Sequence, residues 1–217
     1  MELTQLGAHT YPAEGAARAL FVFAHGAGAG QHHPFMAGVS KALAARGIDV
    51  VTFDFPYKRL QKSAPDRPPV LEQSFREVVA AARRWSQADR LFIGGKSMGG
   101  RMATQLAAGK PELPVSGLVL LGYPLHPPGQ PHKRRDAHLP SIRRPMLVIQ
   151  GSRDAFGTPE ELAPAFGALD PPATLHVIEG GDHSFKVARA DAARRAAIDD
   201  EVRQTAAEWM QAIRRLS

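Results

Sequence analysis

Short apolar runs recur along this chain, separated by longer stretches in which apolar residues return every third or fourth position. Leu20–Ala24, Asp49–Phe53, Leu91–Gly94, Gly117–Leu121, Met146–Gln150 and Thr174–Ile178 are rich in Val, Ile, Leu and Phe. Strands buried on both faces of a parallel sheet have that composition. Between them Phe35–Arg46, Val70–Ala88, Arg101–Ala108 and Glu160–Ala168 read as helices, and a long C-terminal helix is expected from about Ala190 to Leu216. In that helix Ile198, Val202, Ala206, Trp209 and Ile213 form one stripe at helical spacing, fit to pack on a sheet. The alternation of strand and helix predicts a doubly wound, mostly parallel α/β sheet flanked by helices. The irregular stretches 55–69 and 122–145 are proline-rich and basic, and neither is long enough for a lid domain. A site on this sheet should therefore be rather open.

Composition narrows the picture. At 217 residues and 44% hydrophobic, the chain reads as one domain, 1–217, able to bury most of its surface. No apolar stretch reaches the roughly eighteen residues that cross a membrane, and the start MELTQLGAHTYPAEG lacks a secretory leader's pattern, so a cytoplasmic location is expected. Without cysteine there are no disulfides, no thiolate metal site and no cysteine nucleophile. The net charge of +6 is spread over Arg83-Arg84, KRR at 133–135, Arg143-Arg144, Arg194-Arg195 and Arg214-Arg215, which read as solvated faces. No aromatic-interleaved basic stripe accompanies them, so neither a nucleic acid nor a membrane is expected as partner.

The chemistry is concentrated in GGKSMGG at 94–100, where Gly95-Lys96-Ser97-Met98-Gly99 fits G-x-S-x-G between a strand and a helix. A serine hydroxyl is a weak nucleophile and must stand exposed on a tight turn where a base can take its proton. Small residues two positions to either side leave room for that turn. Gly95-Lys96-Ser97 also matches the end of a phosphate-binding loop, but the first glycine of that motif would fall on Arg90. The second glycine cluster, HGAGAG at 25–30, fails as a dinucleotide site because the required glycine falls on Gln31 or His33.

Open parallel sheets place their sites beyond the carboxyl ends of the strands. One later strand exits as Gln150-Gly151-Ser152-Arg153-Asp154, and the last as Glu179-Gly180-Gly181-Asp182-His183-Ser184-Phe185. Ser97, Asp154 and His183 thus come in the order nucleophile, acid, base, with Asp154 orienting His183 and His183 deprotonating Ser97. The oxyanion of a tetrahedral intermediate needs two donors, for which the amides of Met98 and Ala27 are the candidates. Tyr57, Tyr123, Phe156 and Phe185 follow strand ends and are candidates to line a substrate pocket. His25 belongs to the first glycine loop, His176 reads as structural, and His32, His33, His126, His132 and His138 read as solvated. Asp182 and Asp54 read as turn formers. Lys96 and Arg101 flank the elbow and read first as members of structural ion pairs, and second as attractants for a carboxylate or phosphate. The basic run 131–144 reads as a solvated loop.

Taken together, HGAGAG, GKSMGGR, GSRD and GGDHSF resemble the α/β-hydrolase superfamily from about residue 18 to the C-terminal helix. The nearest resemblance is to its small, lidless, dienelactone-hydrolase-like members, a branch of predicted hydrolases. That resemblance implies an eight-stranded type of core, short here of its first strands, and places Ser97, Asp154 and His183 on the family's triad, with Ala27 and Met98 on its oxyanion hole. Dienelactone hydrolases proper carry cysteine where this chain has Ser97, so their substrate is not carried over. Some eukaryotic relatives serve as subunits of nuclear assemblies. The expected function is a serine hydrolase acting on a small carboxylic ester or thioester through an acyl-enzyme, without cofactor or metal. A non-catalytic binding or scaffold protein, and a peptidase or amidase, are the alternatives.

Overall fold

The computed structural model of the chain describes residues 1–213, so Arg214-Arg215 and the end of the C-terminal helix expected at Leu216 lie outside the described residues. In chain order the elements are β1 (Ala8–Tyr11), β2 (Ala19–Ala24), α1 (Pro34–Ala44), β3 (Ile48–Phe53), α2 (Pro56–Arg59), α3 (Pro68–Trp85) and β4 (Leu91–Lys96). Then follow α4 (Met98–Ala108), β5 (Gly117–Leu121), β6 (Met146–Gly151), α5 (Pro159–Gly167), β7 (Thr174–Ile178) and α6 (Ala192–Ala212). The strands form one seven-stranded sheet in the order β1-β3-β2-β4-β5-β6-β7, parallel except for β1.

Alternation along each buried strand divides the core in two. Leu20 and Val22 of β2, with Leu118 and Leu120 of β5, face a layer built from Leu71, Phe75 and Val78 of α3, Met102 and Leu106 of α4, and Leu162 and Phe166 of α5. Their neighbours Phe21, Phe23, Val119 and Leu121 face Met36, Val39 and Leu43 of α1 and Ile198, Val202 and Met210 of α6. Each fully buried Val, Leu, Ile, Phe or Met contributes about 1.5–3 kcal/mol against exposure to water. Both faces of the inner strands are therefore paid for by helices, which is why β2 to β6 read as nearly continuous apolar runs.

The structure differs from the expectation at the edges. β1 was not anticipated: its four residues AHTY pair antiparallel with β3, and Tyr11 alone is buried. So short an edge strand carries too little apolar signal to stand out. The stretch 55–69 contains the one-turn helix α2, and Leu139–Ser141 in the stretch 122–145 forms a 3-10 turn. On α6, Ile198, Val202 and Ala206 are buried as the stripe predicts, joined by Ala207 and Met210, while Trp209 and Ile213 pack at its margin.

The strand order also locates a crevice. From β2 the chain moves to β3 on one side, and then crosses to β4 on the other side of β2. The loops leaving β2 and β4 therefore diverge at their carboxyl ends, the place where open α/β sheets bind ligands.

Ile198→Ala should lower unfolding stability by about 2–5 kcal/mol, because it opens a cavity between α6 and the sheet. Leu60→Ala, at a side chain 64% exposed, should change stability by no more than about 0.5 kcal/mol. Urea denaturation midpoints of the two variants check the pair.

Candidate active site

The elbow begins with backbone geometry. Ser97 caps α4 with φ 51° and ψ −116°, a left-handed conformation that costs a residue with a Cβ about 1–3 kcal/mol. Packing around the glycines holds it there. A Cβ on Gly99 would overlap the carbonyls of Ala24 and His25, and a Cβ on Gly95 would lie 2.5 Å from the Ala24 carbonyl. On Gly100 it would stand 2.9 Å from the Gly95 carbonyl. The amide of Ser97 donates to the Leu121 carbonyl at 3.0 Å, which ties the turn to β5.

Two other strand exits converge on that hydroxyl. His183 Nε2 lies 2.7 Å from Ser97 Oγ, and His183 Nδ1 lies 2.7 Å from Asp154 Oδ2. An ionised carboxylate only accepts, so Nδ1 carries the proton and Nε2 presents its lone pair to the serine. Asp154 is 1% exposed, and its remaining capacity is filled by Gln150 Nε2 at 2.8 Å and the Phe156 amide at 2.8 Å. Gln150, on β6, also receives the Tyr123 amide at 2.8 Å and donates to the Gly157 carbonyl at 2.8 Å. The loops carrying Asp154 and His183 meet where a Cβ on Gly151 would overlap the carbonyls of Gly181 and Asp182, and the Arg153 amide donates to the Gly181 carbonyl at 2.8 Å. Asp182 Oδ1 accepts from the amides of Ser184 at 2.8 Å and Lys186 at 2.9 Å, the turn-forming part expected of it. The Phe156 ring lies over His183 at 4.2 Å, and the imidazole keeps 20% of its side-chain surface open to solvent.

The loop after β2 closes the other side of the crevice. A Cβ on Gly26 would lie 3.6 Å from Ser97 Cβ, so this backbone passes directly beside Ser97. His25 Nδ1–H donates to the Gly26 carbonyl at 2.8 Å, while its Nε2 accepts the Phe55 amide at 3.1 Å. Burial pushes His25 below its ordinary range and keeps it neutral, which this pair of bonds requires. Carbonyl and N–H point in opposite directions across a trans peptide, so fixing Gly26 O also aims the Ala27 N–H away from His25. Tyr57 donates its hydroxyl to the Ala27 carbonyl at 2.8 Å, and Asp54 Oδ1 accepts the Gln31 amide at 2.7 Å, which holds the far end of the loop. Met98, the second candidate donor, is the first residue of α4, where backbone amides have no partner within the helix.

The sequence profile of the family described as an alpha/beta hydrolase domain matches residues 17–211. The chain belongs to the α/β-hydrolase family. Among solved structures it is similar to the dienelactone hydrolase of Anabaena variabilis, with 21% identity, TM-score 0.75, and 96% of this chain and 92% of that one covered. It is also similar to an α/β serine hydrolase without lid from Xanthomonas campestris, at 22% identity, TM-score 0.69, covering 91% of this chain and 88% of that one. A monoacylglycerol lipase from Paleococcus ferrophilus aligns at 15% identity with TM-score 0.73, covering 95% of this chain and 98% of that one. The mostly parallel sheet without a large lid agrees with the family's architecture.

Within this α/β-hydrolase fold several candidates land away from the crevice. Tyr57 and Tyr123 are 1% and 0% exposed, and Tyr123 gives its hydroxyl to the Arg135 carbonyl at 2.7 Å. These two tyrosines are core supports of the loops and do not line an open pocket. Phe185 is likewise buried, packed on Phe35 at 5.9 Å, and Phe156 alone of the four stays partly open beside His183. His126 and His138 are less solvated than expected: His126 is buried 3.3 Å from Glu161, and His138 Nε2 is 2.8 Å from Thr104 Oγ1. His176 meets Glu201 at 2.9 Å. Lys96 and Arg101 form no ion pair among the described residues, and Lys96 Nζ instead donates to the His183 carbonyl. Gln150 is a support that the sequence does not single out, while His25, read only as part of the first glycine loop, and Asp54, read as a turn former, prove to anchor that loop. Only the position of Gln150 four residues before Asp154, at a strand's end, could have hinted at its part.

Gln150→Leu should destabilise the fold by about 1–3 kcal/mol, since it leaves the Tyr123 amide and one oxygen of Asp154 short of partners in the core. Chemical denaturation monitored by circular dichroism measures that loss.

Proposed function

We propose that this chain is a serine hydrolase that cleaves a carboxylic ester or thioester through an acyl-enzyme at Ser97. The observation that carries the reading is the unbroken line Ser97 Oγ–His183 Nε2–His183 Nδ1–Asp154, with both contacts at 2.7 Å. Ser97 Oγ attacks the carbonyl carbon as His183 Nε2 removes its proton. The Asp154 carboxylate stabilises the resulting imidazolium without itself accepting the proton. The oxyanion is met by the amides of Met98 and Ala27, the first at the positive end of α4, and the loss of one such donor costs about 3 kcal/mol of transition-state stabilisation. His183 then protonates the leaving alkoxide or thiolate as the tetrahedral intermediate collapses. Water, deprotonated by the same imidazole, releases the acid and restores Ser97. The steps call for no metal and no cofactor.

Two further observations support acyl transfer. His183 and Phe156 remain open to solvent, so a small ester can reach Ser97 without displacing a covering domain. The structurally similar proteins include a dienelactone hydrolase and a monoacylglycerol lipase, both named for breaking acyl–oxygen bonds.

A fluorophosphonate probe should label Ser97 at neutral pH, and Ser97→Ala and His183→Ala should abolish both labelling and turnover of p-nitrophenyl acetate. Asp154→Asn should retain a small remnant, down about 10⁴-fold in kcat. Folded wild-type protein that takes up no probe would make the chain a binding or scaffold protein instead. Faster cleavage of a matched p-nitroanilide than of the ester would make it an amidase.

A further inference from the structure

Lys96 stands next to the nucleophile, yet the mechanism above gives it no part. It is the last residue of β4, and its side chain runs beneath the loop that carries His183. There Nζ donates to the main-chain carbonyl of His183 at 2.5 Å and sits 5.3 Å from the centre of the Phe185 ring. Gly122 makes the room: with φ +65° it lacks a Cβ that would lie 2.7 Å from Nζ and 3.5 Å from His183 Nδ1. The charges facing the ammonium are Asp154, on the loop after β6, and Asp182, on the loop after β7, and neither is close enough to form an ion pair.

The elbow does not require a lysine. Its turn demands glycine at positions 95 and 99, where a Cβ would strike backbone, whereas position 96 carries a side chain. Withdrawing an ammonium from water without a paired carboxylate is unfavourable, and an apolar side chain would fill the same space at lower cost. What the lysine adds is a charge-assisted hydrogen bond to one carbonyl, about twice as strong as a neutral one. That carbonyl belongs to the residue whose ring must stay within hydrogen-bond reach of Ser97 Oγ.

We propose that Lys96 is a positioning residue: its ammonium, bonded to the His183 carbonyl, pins the base loop so that the imidazole stays aligned between Ser97 and Asp154. The proposal rests on the reading of His183 as the general base. Phe185, two residues on, packs beside the same ammonium and closes the clamp from the far side of the loop. Burial also pulls Lys96 down to about 8, with Asp154 and Asp182 opposing the shift. The charge is therefore present at neutral pH and is lost as pH rises through about 8, where the bond to the carbonyl weakens to that of a neutral amine.

The experiment compares wild type, Lys96→Met and Lys96→Arg from pH 6 to 10, using the rate of fluorophosphonate labelling together with kcat and KM on p-nitrophenyl acetate. Lys96→Met should lower kcat about 10- to 100-fold at pH 7 with KM within about twofold. Wild type should lose activity above an inflection near pH 8, whereas Lys96→Met should show no such inflection. Lys96→Arg, which does not titrate in this range, should restore most of kcat and hold it past that inflection. Wild-type kcat in folded Lys96→Met, or a loss confined to KM, overturns the proposal. If Lys96→Met does not fold, an unchanged inflection in Lys96→Arg overturns it equally. Failure of the serine-hydrolase reading looks different: wild type and both variants would then all remain unlabelled.

Discussion

Holding a serine at a positive φ takes surroundings that leave no other conformation, and in this protein those surroundings are main-chain atoms. Gly95 and Gly99 let β4 and the head of α4 press against the Ala24 carbonyl of β2, and Gly100 lets α4 press against the Gly95 carbonyl of β4, at separations where a Cβ would collide. The elbow is thus fixed by backbone packing at the centre of the sheet, where little can relax. Its energetic cost, a few kcal/mol of strained backbone, is carried by the buried layers on both faces of the sheet. The rest of the site depends on that immobility, because the 2.7 Å contact between Ser97 and His183 persists only while the turn is held.

Around the elbow the same logic is repeated with side chains. Three loops from three strand ends must meet at hydrogen-bond distance, and each has its own tie. Gln150 joins the β5 and β6 exits and orients Asp154. His25 and Tyr57 hold the two peptides that flank Ala27. Lys96 reaches from the elbow itself to the main chain of His183. Gln150, His25 and Tyr57 are buried and Lys96 is partly so, and all four are hydrogen-bonded, so the bonds that place Ser97, Asp154 and His183 are largely sheltered from competing water. The edge at His183 stays open: part of its ring faces solvent, and the connecting stretches 55–69 and 122–145 build no large lid domain above it.

Much of this was legible in the amino-acid order because the signals are local. Buried parallel strands announce themselves as apolar runs, and all six runs coincide with strands to within two residues at either end. The elbow glycines answer a steric demand that acts across five residues, so Gly95-Lys96-Ser97-Met98-Gly99 carries its own explanation. Asp154 and His183 could be picked out because a parallel sheet gathers its strand exits on one side, and few acids and histidines stand at those exits. β1 escaped notice because four residues on an edge bury one side chain. Tyr57 and Tyr123 were misplaced for a related reason: a tyrosine after a strand can turn inward or outward, and only the neighbouring loop's carbonyl decides which.

The sequence by itself determined the class of fold, the strained serine and the placing of Asp154 and His183 at strand exits, since each depends on residues near one another in the chain or on the general rule for strand ends. The tertiary structure alone decided how that constellation is held. The bond from Lys96 to the His183 carbonyl spans 87 positions, and that from Tyr57 to Ala27 spans 30. Such contacts leave no periodicity and no motif, because their partners are main-chain atoms that every residue possesses. Only the folded sheet, by bringing those carbonyls to particular places, selects which side chains they meet.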